Sequence, residues 1–360
     1  MQKNEVTNMR IEEIDKNLKV ETNIQRDDLI WLNVREAPFA IHGLYHPTEP
    51  GPFHRLDPAV ADATNEGVSG LNWHTAGGRI RFATDSPYIA IQSVQPASAT
   101  MSHITKLGQS GFDLYTQKDG KYSYIASFIP PYGQIPGFSS IADFGNVGMR
   151  DYTIHMPLYD GVNELYIGLK RSSEIREAAP YKHTTPVLYY GSSITQDGCA
   201  SRPGNGYQAM IARKYDADFI NLGFSGSARG EHVMAEYLAS IPCSVFVCDY
   251  DHNAPSAEHL RNTHEPLYRT FRAAQPDTPI VFVSKPDFHP GTEDEARRAI
   301  IRTTYEKATA EGDHNVYFID GETLFEGEWR DSCTVDGCHP NDLGFSRMAT
   351  VIGNAVGPLL

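Results

Sequence analysis

The stretch Val187-Leu188-Tyr189-Tyr190-Gly191-Ser192-Ser193-Ile194-Thr195 is a run of aliphatic and aromatic residues that breaks into a glycine and two serines. Four apolar residues bounded by turn formers predict a short strand buried on both faces. A glycine followed by serine lets the chain turn sharply at the strand end and present a hydroxyl there. The same rhythm repeats downstream, where apolar runs at 219–222, 245–249, 280–284 and 316–319 alternate with helix-like stretches near 206–215, 230–240, 257–274, 293–311 and 343–355. Five such strand–helix units predict an α/β fold, a parallel sheet covered by helices on both faces. In such a sheet chemistry gathers at the carboxyl ends of the strands.

Upstream of this stretch the pattern changes. Runs at 79–83, 88–94, 112–117, 122–128, 151–156 and 164–169 are short and rich in aromatic and β-branched residues, with turn signals at Gly77-Gly78, Asp119-Gly120 and Asp160-Gly161. Short strands without helical pattern between them predict an antiparallel β-sandwich of jelly-roll type. The polar segment 171–185 reads as a linker, which divides the chain into a β-sandwich accessory domain over 1–180 and an α/β domain over 186–360. The α/β half has the units of a complete sheet and is expected to fold by itself, with the sandwich packed beside its carboxyl edge as one wall of a cleft.

Composition excludes several classes of function. With 40% hydrophobic and 21% charged residues the 360-residue chain is a globular protein with material for roughly two cores. A formal charge of −14 and the lack of a basic run argue against nucleic acid or an anionic membrane as partner. The first residues, MQKNEVTNMRIEEIDKN, lack the apolar segment of a secretory signal, and no run reaches the ~20 apolar residues that span a bilayer. A cytoplasmic protein is expected, and a homo-oligomer is compatible with this composition. Five cysteines, odd in number and without a CxxC pair, fit reduced thiols, so Cys333 and Cys338 are not read as a zinc site.

The residues that could carry chemistry sit in the loops after the strands. Asp336-Gly337-Cys338-His339-Pro340-Asn341-Asp342-Leu343-Gly344-Phe345 precedes the last helix. An Asp three residues before a His, on a turn held extended by Pro340, can accept the Nδ1 proton and leave Nε2 free as a base. Asn341 or Asp342 would cap the helix. After the second and third strands come Asn221-Leu222-Gly223-Phe224-Ser225-Gly226-Ser227 and Asp249-Tyr250-Asp251-His252-Asn253-Ala254-Pro255. A glycine N–H and an Asn amide are the donors that an oxyanion hole requires, together with the serine N–H.

The order Ser193, Gly226, Asn253, His339 resembles the four blocks of the SGNH (GDSL) hydrolases, with GSSIT similar to their serine block and DGCHPNDLGF to their DxxHP block. The resemblance covers about 186–360 and implies a five-stranded flavodoxin-like sheet. It also implies Ser193 as nucleophile, His339 as base and Asp336 as its orienter, with the Ser193 N–H, the Gly226 N–H and the Asn253 side chain as oxyanion donors. Two departures stand out: Ser192 occupies the place of the family's usual Asp, and DYDHN replaces GxND, leaving His252 as a fallback donor. Gly111-Phe112-Asp113-Leu114-Tyr115 resembles the GxDLY signature of β-sandwich domains that precede some SGNH esterases.

Together these readings predict a serine esterase that forms an acyl-enzyme and hydrolyses short-chain, acetyl-type esters of carbohydrates or other small hydroxylated molecules, without cofactor or metal. An acyltransferase using the same serine and a non-catalytic carbohydrate-binding protein are the alternatives. Asp249, Asp251, His252, His259 and His264 are metal-ligating types, but His259 and His264 stand five apart on a helix and so do not share a face. Trp73, His74 and the tyrosines of the β half are candidates for a cleft lining, though such residues more often belong to a sandwich core or rim.

Overall fold

The protein is described by a computed structural model over residues 24–96, 101–118, 120–131, 136–287 and 289–360. The predicted turn at Asp119-Gly120 and the N-terminal stretch lie wholly or partly outside these residues.

Among the described residues, the β half contains ten strands, β1 (Leu29–Asn33), β2 (Ala40–His42), β3 (Arg79–Thr84), β4 (Tyr88–Val94), β5 (Phe112–Lys118), β6 (Lys121–Phe128), β7 (Gly137–Asp143), β8 (Arg150–His155), β9 (Glu164–Lys170) and β10 (Ile175–Arg176). They form two antiparallel sheets, β1-β9-β4-β7 and β10-β3-β8-β5-β6, with β2 added on β3. Ile80, Phe82, Phe112, Leu114 and Ile154 from one sheet meet Ile89, Ile91, Leu165 and Ile167 from the other in a common core, as the period of two along each strand requires. Short helices interrupt the pattern at α1 (Pro58–Thr64), α2 (Glu66–Leu71) and α3 (Lys106–Ser110). Part of the expected linker is strand, since Ile175 and Arg176 pair with Thr84 and Ala83 while the Ile175 side chain packs against the sandwich core.

From His183 the fold is parallel. Strands β11 (His183–Gly191), β12 (Ala217–Gly223), β13 (Val245–Asp249), β14 (Ile280–Val283) and β15 (Val316–Ile319) line up in the order β12-β11-β13-β14-β15. The helices α4 (Tyr207–Tyr215), α5 (His232–Ser240), α6 (Ala257–Ala274), α7 (Thr292–Ala310) and α8 (Asp342–Val356) fall where periodicity places them. Helix α6 shows the cause: Ser256 accepts the His259 N–H as N-cap, and Leu260, His264, Leu267, Tyr268 and Phe271 form one buried stripe. Along β11, Leu188 and Tyr190 enter one core while Val187 and Tyr189 enter the other. Because β11 lies between β12 and β13, the loops leaving these three strands are neighbours at the switch point of the sheet, where such folds place their ligands.

The α/β half does not complete its own cores. Leu56, Ala61 and Val68 fill part of one, and Ala76, Ile104, Leu158 and Tyr159 part of the other. Polar residues of the β half close the joint. Buried Arg79 donates to Asp218 and to the Phe219 carbonyl at 2.9 Å, and buried Arg55 lies over the Phe224 ring at 4.4 Å. The FDLY segment of β5 divides by pleat: Phe112 and Leu114 face the sandwich core, while Asp113 and Tyr115 both bind Nη1 of Arg202, at 2.7 and 2.6 Å.

Candidate active site

Ser193 opens a tight turn directly after β11, formed because Ser192 Oγ accepts the Ile194 N–H at 3.1 Å and the Ser193 carbonyl accepts the Gly198 N–H at 2.8 Å. Gly198 is required there, since a Cβ would stand 2.9 Å from the Ser193 carbonyl oxygen and 2.8 Å from the Tyr159 hydroxyl. Ser192, at the position of the expected Asp, is therefore a buried turn brace.

The DGCHPN segment is a folded loop in its own right. Val335 N–H donates to the His339 carbonyl at 3.0 Å, Asn341 N–H to the Cys333 carbonyl at 2.9 Å, and Gly337 takes φ +85°. Asn341 caps α8, accepting from Leu343 and Gly344, whereas Asp342 accepts the Ser201 N–H at 2.9 Å. This loop brings His339 Nε2 to 2.9 Å from Ser193 Oγ. On the other side of the ring, Nδ1 lies 2.7 Å from Asp336 Oδ2, while Asp336 Oδ1 accepts the backbone N–H groups of His339 and Cys338 at 2.7 and 3.0 Å. Partial burial opposes ionisation of Asp336, but the hydrogen bonds from His339 and Cys338 outweigh it and hold the carboxyl at about 2.

Gly226, itself exposed, sits at φ +65° on the loop after β12. Among the described residues, neither its N–H nor that of Ser193 meets an acceptor within the chain. The Asn253 side chain donates to the Phe224 carbonyl at 2.9 Å, which ties the loop after β13 to the loop carrying Gly226. Asn253 does not cap α6, a role Ser256 fills. In the neighbouring His252, Nδ1 faces Asp251 at 3.1 Å. Asp249, Asp251 and His252 bring ligand-type atoms within 4.8 Å of one another. His259 and His264 turn elsewhere, to the Arg229 carbonyl and the Thr304 hydroxyl.

Sequence reasoning missed Gln196 and Tyr159. Fully buried Gln196 accepts the Ser225 N–H at 3.0 Å through Oε1, and its amide donates to the Leu158 carbonyl and to His74 Nδ1, both at 3.1 Å. Burial and the Arg55 guanidinium push His74 down to about 3, so the ring is neutral and can accept that bond. The Tyr159 hydroxyl donates to the Ser193 carbonyl at 3.1 Å. Nothing local in the sequence marks Tyr159; Gln196 could have been singled out as the buried-side neighbour of Ser193 in a βα turn. Trp73 is 40% exposed and edge-on to His54, beside His74.

Residues 184–356 match the model of the GDSL-like lipase/acylhydrolase family, and residues 29–175 match the GxDLY model, the N-terminus of esterases of SGNH-hydrolase type. A Bacteroides ovatus protein described as a GDSL-like lipase shares 30% identity over 92% of this chain and 98% of its own, with a TM-score of 0.83. The chain belongs to the GDSL-like lipase/acylhydrolase family. As a GDSL-like enzyme it is a carboxylic ester hydrolase. A salicylyl-acyltransferase from a tetracycline biosynthetic pathway is similar in fold over 93% of this chain and 100% of its own, at 17% identity and a TM-score of 0.75. An acetyl xylan esterase from the rumen bacterium Butyrivibrio proteoclasticus covers 91% of this GDSL-like chain and 97% of its own, at 13% identity and a TM-score of 0.56. No curated protein matches it in sequence. Among the described residues, no helix is long and apolar enough to cross a membrane.

Proposed function

We propose that this enzyme hydrolyses short-chain acyl esters, acetyl esters foremost, of carbohydrates or other small hydroxylated molecules through an acyl-enzyme on Ser193. The observation that carries the reading is the unbroken line from Ser193 Oγ to His339 Nε2 and from His339 Nδ1 to Asp336, at 2.9 and 2.7 Å. His339 takes the hydroxyl proton as Oγ attacks the ester carbonyl, and the Asp336 carboxylate steadies the imidazolium that forms. Charge developing on the carbonyl oxygen is met by the N–H groups of Ser193 and Gly226 and by the second amide hydrogen of Asn253, the first being spent on Phe224. His339 returns the proton to the departing alcohol, and water, activated by the same ring, releases the acid.

Carbohydrate esters are favoured by the company the fold keeps, since the acetyl xylan esterase shares both halves of the architecture. The salicylyl-acyltransferase shares them too, and it gives weight to a second reading in which another alcohol or amine takes the acyl group in place of water. A series of p-nitrophenyl esters of increasing chain length, followed by acetylated sugars, tests the first reading. Fast turnover of acetyl and none of octanoyl supports it. Release of p-nitrophenol that depends on an added acceptor, without free acid, replaces it with transfer.

A further inference from the structure

We propose that His103, Cys199 and His339 together bind a zinc ion, and that occupation of this site switches the esterase off. The switch rests on the reading of His339 as the catalytic base; the metal site rests on geometry alone.

One ligand atom from each of the three residues lies within 4.8 Å of the other two, and the His103 and His339 rings stand 5.7 Å apart between centroids. A thiol and two imidazoles form the nitrogen and sulfur set that zinc takes in tetrahedral sites, leaving the fourth position to water. Ligand atoms on one such ion are roughly 3.4–3.6 Å apart given its bond lengths, so the site closes by a shift of about 1 Å. His103 is exposed and can supply that movement. Cys199 is held rigidly: it is 6% exposed and sits at φ +78°, a left-handed conformation that costs a non-glycine residue energy. It is also free of any disulfide.

Zinc takes a cysteine as thiolate, so the ion binds by exchange: Zn²⁺ replaces the thiol proton, a Zn–S bond forms, and one H⁺ leaves to solvent. Whichever nitrogen of His339 the metal takes, the ring gives up one of its two bonds, to Ser193 or to Asp336. A metal-bound imidazole cannot accept the Ser193 proton, so hydrolysis stops without any change in fold. Nothing in the proposed ester chemistry needs the ion, and the site acts as a brake.

The experiment uses the full-length enzyme, stripped with a chelator, desalted, and titrated with zinc chloride in buffer without thiols while p-nitrophenyl acetate hydrolysis is followed. Inhibition at micromolar zinc, reversed by EDTA, is expected. His103→Ala should leave the zinc-free rate unchanged and raise the half-inhibiting zinc concentration by about 10-fold or more, since loss of even an outer-shell partner costs that much. Cys199→Ser should do the same. Because Cys199 occupies a strained turn, the exposed His103 variant carries the test if the serine variant folds poorly. Cobalt(II) gives a readout independent of activity, a thiolate-to-metal charge-transfer band that Cys199→Ser abolishes. Equal zinc inhibition in the parent and His103→Ala, with no cobalt–thiolate band, would overturn the metal site while leaving the serine mechanism intact. A cobalt–thiolate band with an unaltered rate at saturating metal would overturn the switch, whereas the role of His339 as base is tested separately by the activity of metal-free His339→Ala.

Discussion

The Tyr159 hydroxyl donates to the backbone carbonyl of Ser193, so a residue of the β half touches the residue on which the proposed chemistry turns. Together with Gln196, which the Leu158 carbonyl and His74 hold on one side and Ser225 on the other, it makes the active-site loops a joint product of both halves of the chain.

Removing the proposed nucleophile is the first check. Ser193→Ala should lose on the order of 10⁴-fold or more in kcat on p-nitrophenyl acetate with an unchanged circular dichroism spectrum. Full activity in Ser193→Ala alongside a dead Ser192→Ala would move the nucleophile by one residue.

Gln196 acts only through position. Gln196→Ala frees the Ser225 N–H and lets the Gly226 loop drift, and a displacement of about 1 Å at an oxyanion donor costs on the order of 10²-fold. The loss should fall on kcat, with KM little altered, and a fluorophosphonate should still label Ser193 in the variant. A selective rise in KM would instead place Gln196 in substrate binding.

The loop around Asp336 sets an acid-side signature. Its folded carboxyl is held at about 2, below the ~3.9 of an unfolded Asp, so the folded state binds fewer protons in this window and stability rises with pH. The stabilisation is complete above pH ~4 and is lost as pH falls through about 2. The difference in melting temperature between the parent and Asp336→Asn should accordingly be constant above pH 4 and shrink towards pH 2. A difference that keeps growing between pH 4 and 7 would assign the stabilisation to another group.

A chain starting at Tyr181 should not fold. Leu56, Val68, Ile104 and Leu158 belong to the cores of the parallel sheet, and each buried side chain of this kind contributes roughly 1.5–3 kcal/mol. Their combined loss, about 6–12 kcal/mol, matches the 5–15 kcal/mol that holds a typical protein together. A cooperative melting transition in the isolated fragment, by calorimetry, would show that other contacts take their place.

Much of this architecture is readable from the sequence, for identifiable reasons. Strands buried on both faces are continuous apolar runs, so β11 to β15 announce themselves; the proposed site residues Ser193, Gly226 and Asn253 follow β11, β12 and β13 in order, and His339 stands just before α8. Strand β7, GFSSIAD, has neither strong alternation nor a β-branched run and passes unread. Arg79 and Arg81 on β3, alternating with Ile80 and Phe82, look like a solvent face; they are buried because Tyr181 and Phe219 cover them from another part of the chain. The Tyr159–Ser193 contact spans 34 residues and strands of three sheets, and no local pattern can encode it.

The shared cores also fix an order of events during synthesis. The β half leaves the ribosome first, and at that moment the surfaces that will receive Leu56, Val68, Ile104 and Leu158 have not yet been made. Arg55 waits for Asn221, its partner across 166 residues, with its guanidinium still hydrated. Contacts of such sequence separation close late and slowly, so the nascent chain carries an unfinished apolar face until the last helix, α8, is released. The joint between the two halves is therefore completed only after the parallel sheet has been synthesised.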